Sequence, residues 1–277
     1  MQIVAPAKIN LNLRVLGRND ATGYHDIETW MAPVSLADEL RVELTEAPGI
    51  ALTCSDPDLD NGSGNLAWKA AELFLRETKS ESGACIELQK HVPHGAGLGG
   101  GSSDAAAVLK ALNDQSGRPL DGSALETLAA YLGSDVPFFI AERAAVARGR
   151  GEILEPRSLP QPLDLLLIKP PFAVETAWAY RQWSEKKFCP GGWTAPQLHE
   201  GIEICNDLED PVFAKYIILA GLKQWLLEHS LVAATAMSGS GSCLFAILRD
   251  PRGAGQLAAE TKAEFGDTFW TAACRTL

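Results

Sequence analysis

The run Pro93-His94-Gly95-Ala96-Gly97-Leu98-Gly99-Gly100-Gly101-Ser102-Ser103-Asp104 constrains this chain more than any other segment. Five of its residues are glycine, two are serine, and an alanine-rich apolar run from Asp104 to Leu112 follows at once. Glycine adopts backbone conformations closed to other residues and lets N–H groups approach a ligand without a Cβ in the way. A helix starting behind such a loop aims its unpaired N–H groups and the positive end of its dipole at one spot. Phosphate is the ligand that suits that spot. A flexible linker or ordinary turn is the other reading, but a linker is not followed directly by an apolar helix.

Spacing separates the known glycine-rich loops. The nucleotide P-loop needs G-x-x-x-x-G-K-[ST], and here Ser102 follows Gly101 with no lysine between them. Gly95, Gly97 and Gly100 do satisfy G-x-G-x-x-G, the dinucleotide fingerprint, behind an expected strand at Ala84–Leu88. The acidic residue required about twenty positions on is missing, since Asp121 sits in the turn Pro119-Leu120-Asp121-Gly122. A protein-kinase loop would need H-R-D and D-F-G downstream, and neither string occurs.

Composition removes other classes. With 277 residues there is room for two modest domains, and 46% hydrophobic with 21% charged residues describes a globular chain. A net charge of -11 argues against nucleic acid or an anionic membrane as partner, so an anionic ligand must be drawn by a local basic pocket. The cysteines (Cys54, Cys85, Cys189, Cys205, Cys243, Cys274) are scattered without a C-x-x-C pair, which points to reduced thiols. His91 and His94 precede a loop rather than sharing a helix face, a poor metal pattern. Without a signal-like segment or an apolar run of about 18 residues, the expected location is cytoplasmic.

Along the chain, period-2 alternation predicts a strand over 3–16, with Ile9, Leu11, Leu13 and Val15 on one face and Lys8, Asn10, Asn12 and Arg14 on the other. Further strands are expected at 26–33, 39–44, 84–88, 138–141, 144–148, 163–169, 232–237, 243–248 and 269–275. Helices are expected at 65–76, 104–113, 123–132, 176–183, 195–202, 212–229 and 255–265. Three prolines within 155–162 mark a connection between halves. The elements mix without strict βαβ alternation, which predicts an α+β fold.

Four constellations accompany the loop. Lys8, Asn10 and Asn12 project an ammonium and two amides from one strand face, toward a cleft or, equally, toward solvent at a sheet edge. Asp135, in Gly133-Ser134-Asp135-Val136-Pro137-Phe138-Phe139, is expected to be partly buried and in need of a partner, unless it is a plain turn aspartate. Met237-Ser238-Gly239-Ser240-Gly241-Ser242-Cys243 is a small-residue loop that could approach a ligand closely or simply join two strands. Tyr24 and His25, with Tyr180 in the second half, could stack on a flat heterocycle or be satisfied interior residues.

The loop string Pro-x-x-x-Gly-Leu-Gly-Gly-Gly-Ser-Ser before a small-residue helix resembles the ATP loop of the GHMP kinases, which phosphorylate small molecules such as galactose, homoserine and mevalonate. Pro6-Ala7-Lys8-Ile9-Asn10-Leu11-Asn12-Leu13, Gly17-Arg18, Gly23-Tyr24-His25, Gly133 to Phe138, Asn206-Asp207-Leu208-Glu209 and Ser238 to Ser242 follow that family's order from residue 6 to 245. The Pro-Ala-Lys-Ile-Asn and Gly-Tyr-His elements resemble the branch acting on a cytidine diphosphate-linked sugar alcohol. Thr22 departs from the acidic residue usual before Gly-Tyr-His, and Ser-Gly-Ser-Gly replaces threonine-containing variants.

The resemblance implies a two-domain α+β GHMP kinase fold. An N-terminal half (1–156) would resemble ribosomal protein S5 domain 2, and a C-terminal half (163–277) would be a ferredoxin-like sandwich, with the active site in the cleft between them. It implies ATP with Mg2+ as cofactor and Lys8 and Asp135 as catalytic residues, the aspartate taking a hydroxyl proton and the lysine stabilising charge. Pro93, His94, Gly95, Ala96, Gly97, Leu98, Gly99, Gly100, Gly101, Ser102 and Ser103 would hold the phosphates, with Asn65, Leu66 and Lys90 near the adenosine. Asn10, Tyr24, His25, Thr176, Tyr180, Gly239 and Ser240 would bind the second substrate. The metal would be held by phosphate oxygens and water, with Ser102 or Ser103, and no protein ligand set is identified. The implied partner is a small molecule, with neither nucleic acid nor membrane, and the chain would be a monomer or weak homodimer. A homoserine- or mevalonate-type kinase, a dinucleotide-dependent oxidoreductase and a non-catalytic binding paralogue are the alternatives.

Overall fold

The computed structural model describes residues 1–20, 23–185 and 195–277; Thr22 and Cys189 lie outside these. In chain order the elements are β1 (Gln2–Arg18), β2 (His25–Thr45), β3 (Ile50–Cys54), α1 (Leu66–Glu77), β4 (Gly83–Gln89), α2 (Gly100–Gln115), α3 (Gly122–Leu132) and α4 (Val136–Ala141). There follow β5 (Ala145–Gly149), β6 (Ile153–Pro156), β7 (Asp164–Lys169), α5 (Thr176–Glu185), β8 (Gln197–His199), β9 (Ile202–Asn206), α6 (Glu209–Lys215) and α7 (Ile217–Glu228). The chain ends on β10 (Val232–Met237), β11 (Leu244–Leu248), α8 (Ala254–Phe265) and β12 (Trp270–Arg275). This is an α+β fold with two compact units, and β1 and β2 contribute residues to each.

The first unit comprises Met1–Ala7, Ala37–Pro93 and Gly99–Arg143. Its sheet pairs β4 antiparallel with the second half of β2 (Glu39 opposite Gln89, Thr45 opposite Gly83) and parallel with β3. α1 packs on α2, and α4 on α2 and α3. Asn65 caps α1 by accepting from Ala67 N at 3.0 Å, and Asp121 caps α3 by accepting from Ala124 N at 2.8 Å. Each such cap satisfies a backbone donor that would otherwise go unpaired, worth about 1 kcal/mol. Val42, Phe74, Ile86, Leu109 and Phe138 are fully buried, and each side chain of this size contributes about 1.5–3 kcal/mol by leaving water.

The second unit comprises Lys8–Leu36, His94–Leu98 and Ala144–Leu277. The first half of β2 pairs antiparallel with β5, and β1 pairs parallel with β9 (Asn12 opposite Cys205, Leu13 opposite Asn206). A separate four-stranded antiparallel sheet runs β10-β11-β7-β12. Leu13, Leu166, Ile168, Leu208, Val212, Leu222 and Leu244 belong to one continuous apolar core in this unit.

Five expectations need correction. The strands expected at 26–33 and 39–44 are one strand, β2. Pro33 and Asp38 read locally as breaks, yet the Pro33 carbonyl accepts from Leu277 N at 3.0 Å and Asp38 is wholly buried with its carboxylate paired. The helix expected over 104–113 begins at Gly100, so Gly100 to Ser103 are helical residues rather than loop. The run 138–141 is helical, in α4, because Pro137 at the start of α4 presets a helical φ and a short apolar run carries no period of its own. The expected helix at 195–202 is the hairpin β8–β9, turned by Glu200 (φ 50) and Gly201 (φ 79), two positive-φ residues that suit a tight hairpin. The long helix at 212–229 is two, α6 and α7, broken at Tyr216 (ψ 72), whose ring stacks on Phe172 at 5.0 Å instead of continuing the helix.

Candidate active site

The glycine loop has the conformation its composition demands. Gly95, Gly97 and Gly99 all have positive φ (63, 76 and 70°). Gly99 stands at the N-cap of α2 with no side-chain cap, so the first N–H groups of a 16-residue helix are not met by a capping side chain. Ser102 is half-buried in the first turn, and the Ser103 hydroxyl is buried without a hydrogen-bond partner.

Within the second unit this loop meets the Ser238–Ser242 loop at backbone distance. A Cβ on Gly97 would lie 2.1 Å from the Ser238 carbonyl oxygen, and one on Gly95 would lie 2.7 Å from Ala173 Cβ. Cys243 N donates to Ala96 O at 3.1 Å, and Ser238 Oγ donates to Gly97 O at 2.9 Å. Lys8 N donates to Leu98 O at 2.9 Å, and the Lys8 ammonium donates to Gly97 O at 3.0 Å and to Asn10 Oδ1 at 2.5 Å. Asn10 passes the network on through Nδ2 to Thr29 Oγ1 at 2.8 Å. Lys8 and Asn10 are each 3% exposed, which rules out the solvated-edge reading of their strand face.

Residues expected from the sequence to bind the second substrate form two groups on α5 and its surroundings. Thr176 Oγ1 and Ser240 Oγ are hydrogen-bonded at 2.8 Å. One helical turn on, Tyr180 stacks on His25 (5.1 Å, 30°), and Trp183 meets the same imidazole edge-on at 6.1 Å. Burial first, and the nearby Arg18 second, lower the pKa of His25 from its usual 6.5. Tyr24 is exposed, with the Arg150 guanidinium 4.9 Å from its ring centre.

In the first unit, Asp135 is half-buried at the residue before α4 and does not cap that helix. Leu66 lies under the start of α2, 3.7 Å from where a Gly101 Cβ would be. Lys90 is almost fully buried, ion-paired with Asp38 and with Asp104 (2.8 Å). Burial opposes its charge, but the two carboxylates outweigh it and raise its pKa, while burial pushes Asp104 up to about 7.

Sequence reasoning assigned no role to Ser238, Thr29, Asn206 or Glu209. Asn206 Nδ2 donates to the carbonyls of Met237 and Gly239, both at 2.7 Å, and Glu209 accepts from Met237 N at 2.8 Å while pairing with the buried Lys223. The Asn206-Asp207-Leu208-Glu209 string is thus the support of the second glycine loop, and the string itself was the available signal. Among the described residues the five cysteines are free thiols, and no cluster of three His, Cys, Asp or Glu could hold a metal.

Residues 65–143 match the GHMP kinases N terminal domain and residues 194–267 the GHMP kinases C terminal domain. A 4-diphosphocytidyl-2-C-methyl-D-erythritol kinase of Methylacidiphilum infernorum is 44% identical over 96% of this chain and 93% of that protein. The chain belongs to the 4-diphosphocytidyl-2-C-methyl-D-erythritol kinase family, within the GHMP kinases. The family's protein from Geobacter sp. (strain M21) is 37% identical, covering 100% of this chain and 99% of its own length. A crystal structure of 4-(cytidine 5'-diphospho)-2C-methyl-D-erythritol kinase superposes with a TM-score of 0.81 at 37% identity, covering 99% of both chains. Homoserine kinase from Cytophaga hutchinsonii shares the fold at a TM-score of 0.69 and 19% identity, covering 100% of this chain and 94% of its own. Membership in this kinase family makes the chain an ATP-dependent small-molecule kinase and ends the dinucleotide reading of Gly95, Gly97 and Gly100. No helix among the described residues is long and apolar enough to cross a membrane.

Proposed function

We propose that this chain transfers the γ-phosphoryl group of ATP to the 2-hydroxyl of 4-diphosphocytidyl-2-C-methyl-D-erythritol, giving the 2-phosphate and ADP, in non-mevalonate isoprenoid precursor synthesis. The observation that carries this reading is the His25–Tyr180 stack in the same compact unit as Lys8 and Gly97. Aromatic rings suit a cytosine base, whereas homoserine and mevalonate have no base to stack.

Phosphoryl transfer asks a protein for positioning and charge stabilisation more than covalent chemistry. The 2-hydroxyl oxygen forms a bond to the γ-phosphorus, the bond to the ADP oxygen breaks, and Asp135 accepts the hydroxyl proton. Lys8 supplies positive charge for the charge that develops, and Asn10 fixes its ammonium. Pro93 to Ser103 bind the phosphates through backbone N–H groups and the uncapped start of α2, with Asn65 and Leu66 near the adenosine. Mg2+ bound to ATP neutralises phosphate charge, and the Ser102 or Ser103 hydroxyl is the protein group suited to it. Tyr24, His25 and Tyr180 read the cytosine, and Thr176, Gly239 and Ser240 line the substrate side.

The domain division at 156/163 is part of this reading, and the two matched family segments fall one on each side of it. So are a cytoplasmic location and a monomer or weak homodimer acting without nucleic acid or membrane. The deciding experiment is ADP release, coupled to NADH oxidation, with the cytidyl substrate, homoserine and mevalonate in parallel. Turnover is expected with the first alone. Turnover with homoserine or mevalonate and none with the cytidyl substrate overturns the assignment.

A further inference from the structure

Lys90 sits two carboxylates deep in the first unit, an expensive arrangement for a side chain expected near a nucleotide. Its own side chain is 7% exposed, that of Asp38 0% and that of Asp104 3%. Burying three charges costs several kcal/mol per ion before pairing returns part of it, so such a cluster is a weak source of stability. Its connections suggest what else it does. Asp38 Oδ1 accepts from the backbone N–H of His91 (2.5 Å) and Val92 (2.8 Å), the last residues before the glycine loop. Asp38 Oδ2 pairs with the Lys90 ammonium, which also donates to Asp104 Oδ2 at 2.8 Å. Asp104 lies in the helix that follows the loop.

One chain of charge-assisted hydrogen bonds therefore grips the strand entering the loop and the helix leaving it. The first residue of α2 is pressed against the same group: a Cβ on Gly100 would lie 3.0 Å from Val92 Cγ1 and 3.3 Å from Lys90 Nζ. Asp104 Oδ1 has no hydrogen-bond partner, so the tie of that carboxylate to Lys90 runs through Oδ2.

We infer that Asp38, Lys90 and Asp104 form a buried brace that fixes the two ends of the glycine loop and so preorganises its N–H groups for the ATP phosphates. These are positioning residues, and Lys90 acts through the loop's framework. The inference rests on the reading of that loop as the ATP site. Preorganisation raises affinity by removing an ordering cost from binding, so loss of the brace falls on ATP binding rather than on the second substrate.

The test compares wild type with Asp38→Asn, Asp104→Ala and Asp104→Asn. Asn at 38 keeps an oxygen for the His91 and Val92 amides but turns an NH2 toward the Lys90 ammonium. Asn at 104 keeps an acceptor for Lys90, and Ala does not. Asp38→Asn and Asp104→Ala are expected to raise the KM for ATP roughly tenfold, the size of one lost hydrogen bond to a charged group. The KM for the second substrate and kcat at saturating ATP should change little, and Asp104→Asn should recover most of the ATP affinity. Amide hydrogen exchange over 93–101 should quicken in Asp38→Asn and Asp104→Ala, while exchange in β10 and β11 should not. An unchanged KM for ATP with unchanged exchange over 93–101 overturns the brace, as does a parallel loss of kcat and both KM values with general destabilisation. If wild type fails to bind ATP by calorimetry, the reading of the loop fails, and quickened exchange over 93–101 would still support the brace on its own.

Discussion

The Lys8 ammonium donates to the carbonyl of Gly97, 89 residues away, at 3.0 Å. This ties the cation of the first strand to the backbone of the glycine loop, and Asn10 holds the same ammonium from the next residue on that face. Lys8 is 3% exposed, and these two bonds fix the direction of its buried ammonium. Lys8→Met should lower kcat by about 10²–10³, the usual size for losing one preorganised electrostatic donor. Steady-state kinetics at saturating substrates would check this, and a loss under about fivefold would remove Lys8 from the chemistry.

Asp135 is the residue whose substitution should separate binding from turnover. Asp135→Asn keeps the shape and removes the proton acceptor, so turnover should vanish while ATP binding persists. Calorimetric titration with a non-hydrolysable ATP analogue beside the turnover assay reads both quantities. Wild-type rates in this variant would rule out Asp135 as the proton acceptor.

Two glycines of the same loop should respond differently to a methyl group. Gly97 has φ +76, and a Cβ there would lie 2.1 Å from the Ser238 carbonyl, so Gly97→Ala should strain both loops and lower the melting temperature. Gly101 is helical, and its Cβ would meet Leu66 Cδ1 at an ordinary 3.7 Å. Gly101→Ala should hold or raise the melting temperature, because alanine is the better helix former by up to about 1 kcal/mol. Equal melting temperatures for the two variants would contradict the close approach of the loops.

Glu209 should matter far more to stability than its distance from Lys8 in the sequence suggests. Its carboxylate pairs with buried Lys223 and accepts from Met237 N, at the root of the second glycine loop. Removing one partner of a buried pair costs about 3–5 kcal/mol, so Glu209→Ala should unfold at markedly lower denaturant. An unfolding midpoint like that of wild type would show that the pair contributes little.

The His25 imidazole should titrate below 6.5, since burial and Arg18 both disfavour its charged form. With a lowered folded-state value, the unfolded chain binds the proton more tightly, so stability is full above pH 6.5 and falls as pH drops through that value toward the folded one. NMR titration of the ring carbon proton measures the midpoint, and a value above 6.5 would contradict the packing against Tyr180 and Trp183.

Much of the site could be read directly from the chain. A string with five glycines before a small-residue helix has few physical uses, and period-2 alternation placed Lys8 and Asn10 on one face of β1. Thr176 and Tyr180, four residues apart, share the face of α5 that meets Ser240 and His25. Local rules failed where a residue's preference is overridden by a distant partner. Asp38 reads as a strand breaker, yet it continues β2 because amides 53 and 54 residues away satisfy its carboxylate. Tyr216 ends α6 because an aromatic stack with Phe172 replaces the helical conformation.

Sequence by itself determined the loop, its positive-φ glycines, the alternation of β1 and the family to which these strings belong, because each follows from local stereochemistry or from a short spacing. Tertiary structure alone decided that α2 begins at Gly100, that the His25 ring stacks on Tyr180, and that Lys90 pairs with Asp38 and Asp104. Those outcomes depend on which buried polar group finds which partner, and the cost of leaving one unpaired is settled by the whole packed chain rather than by neighbouring residues.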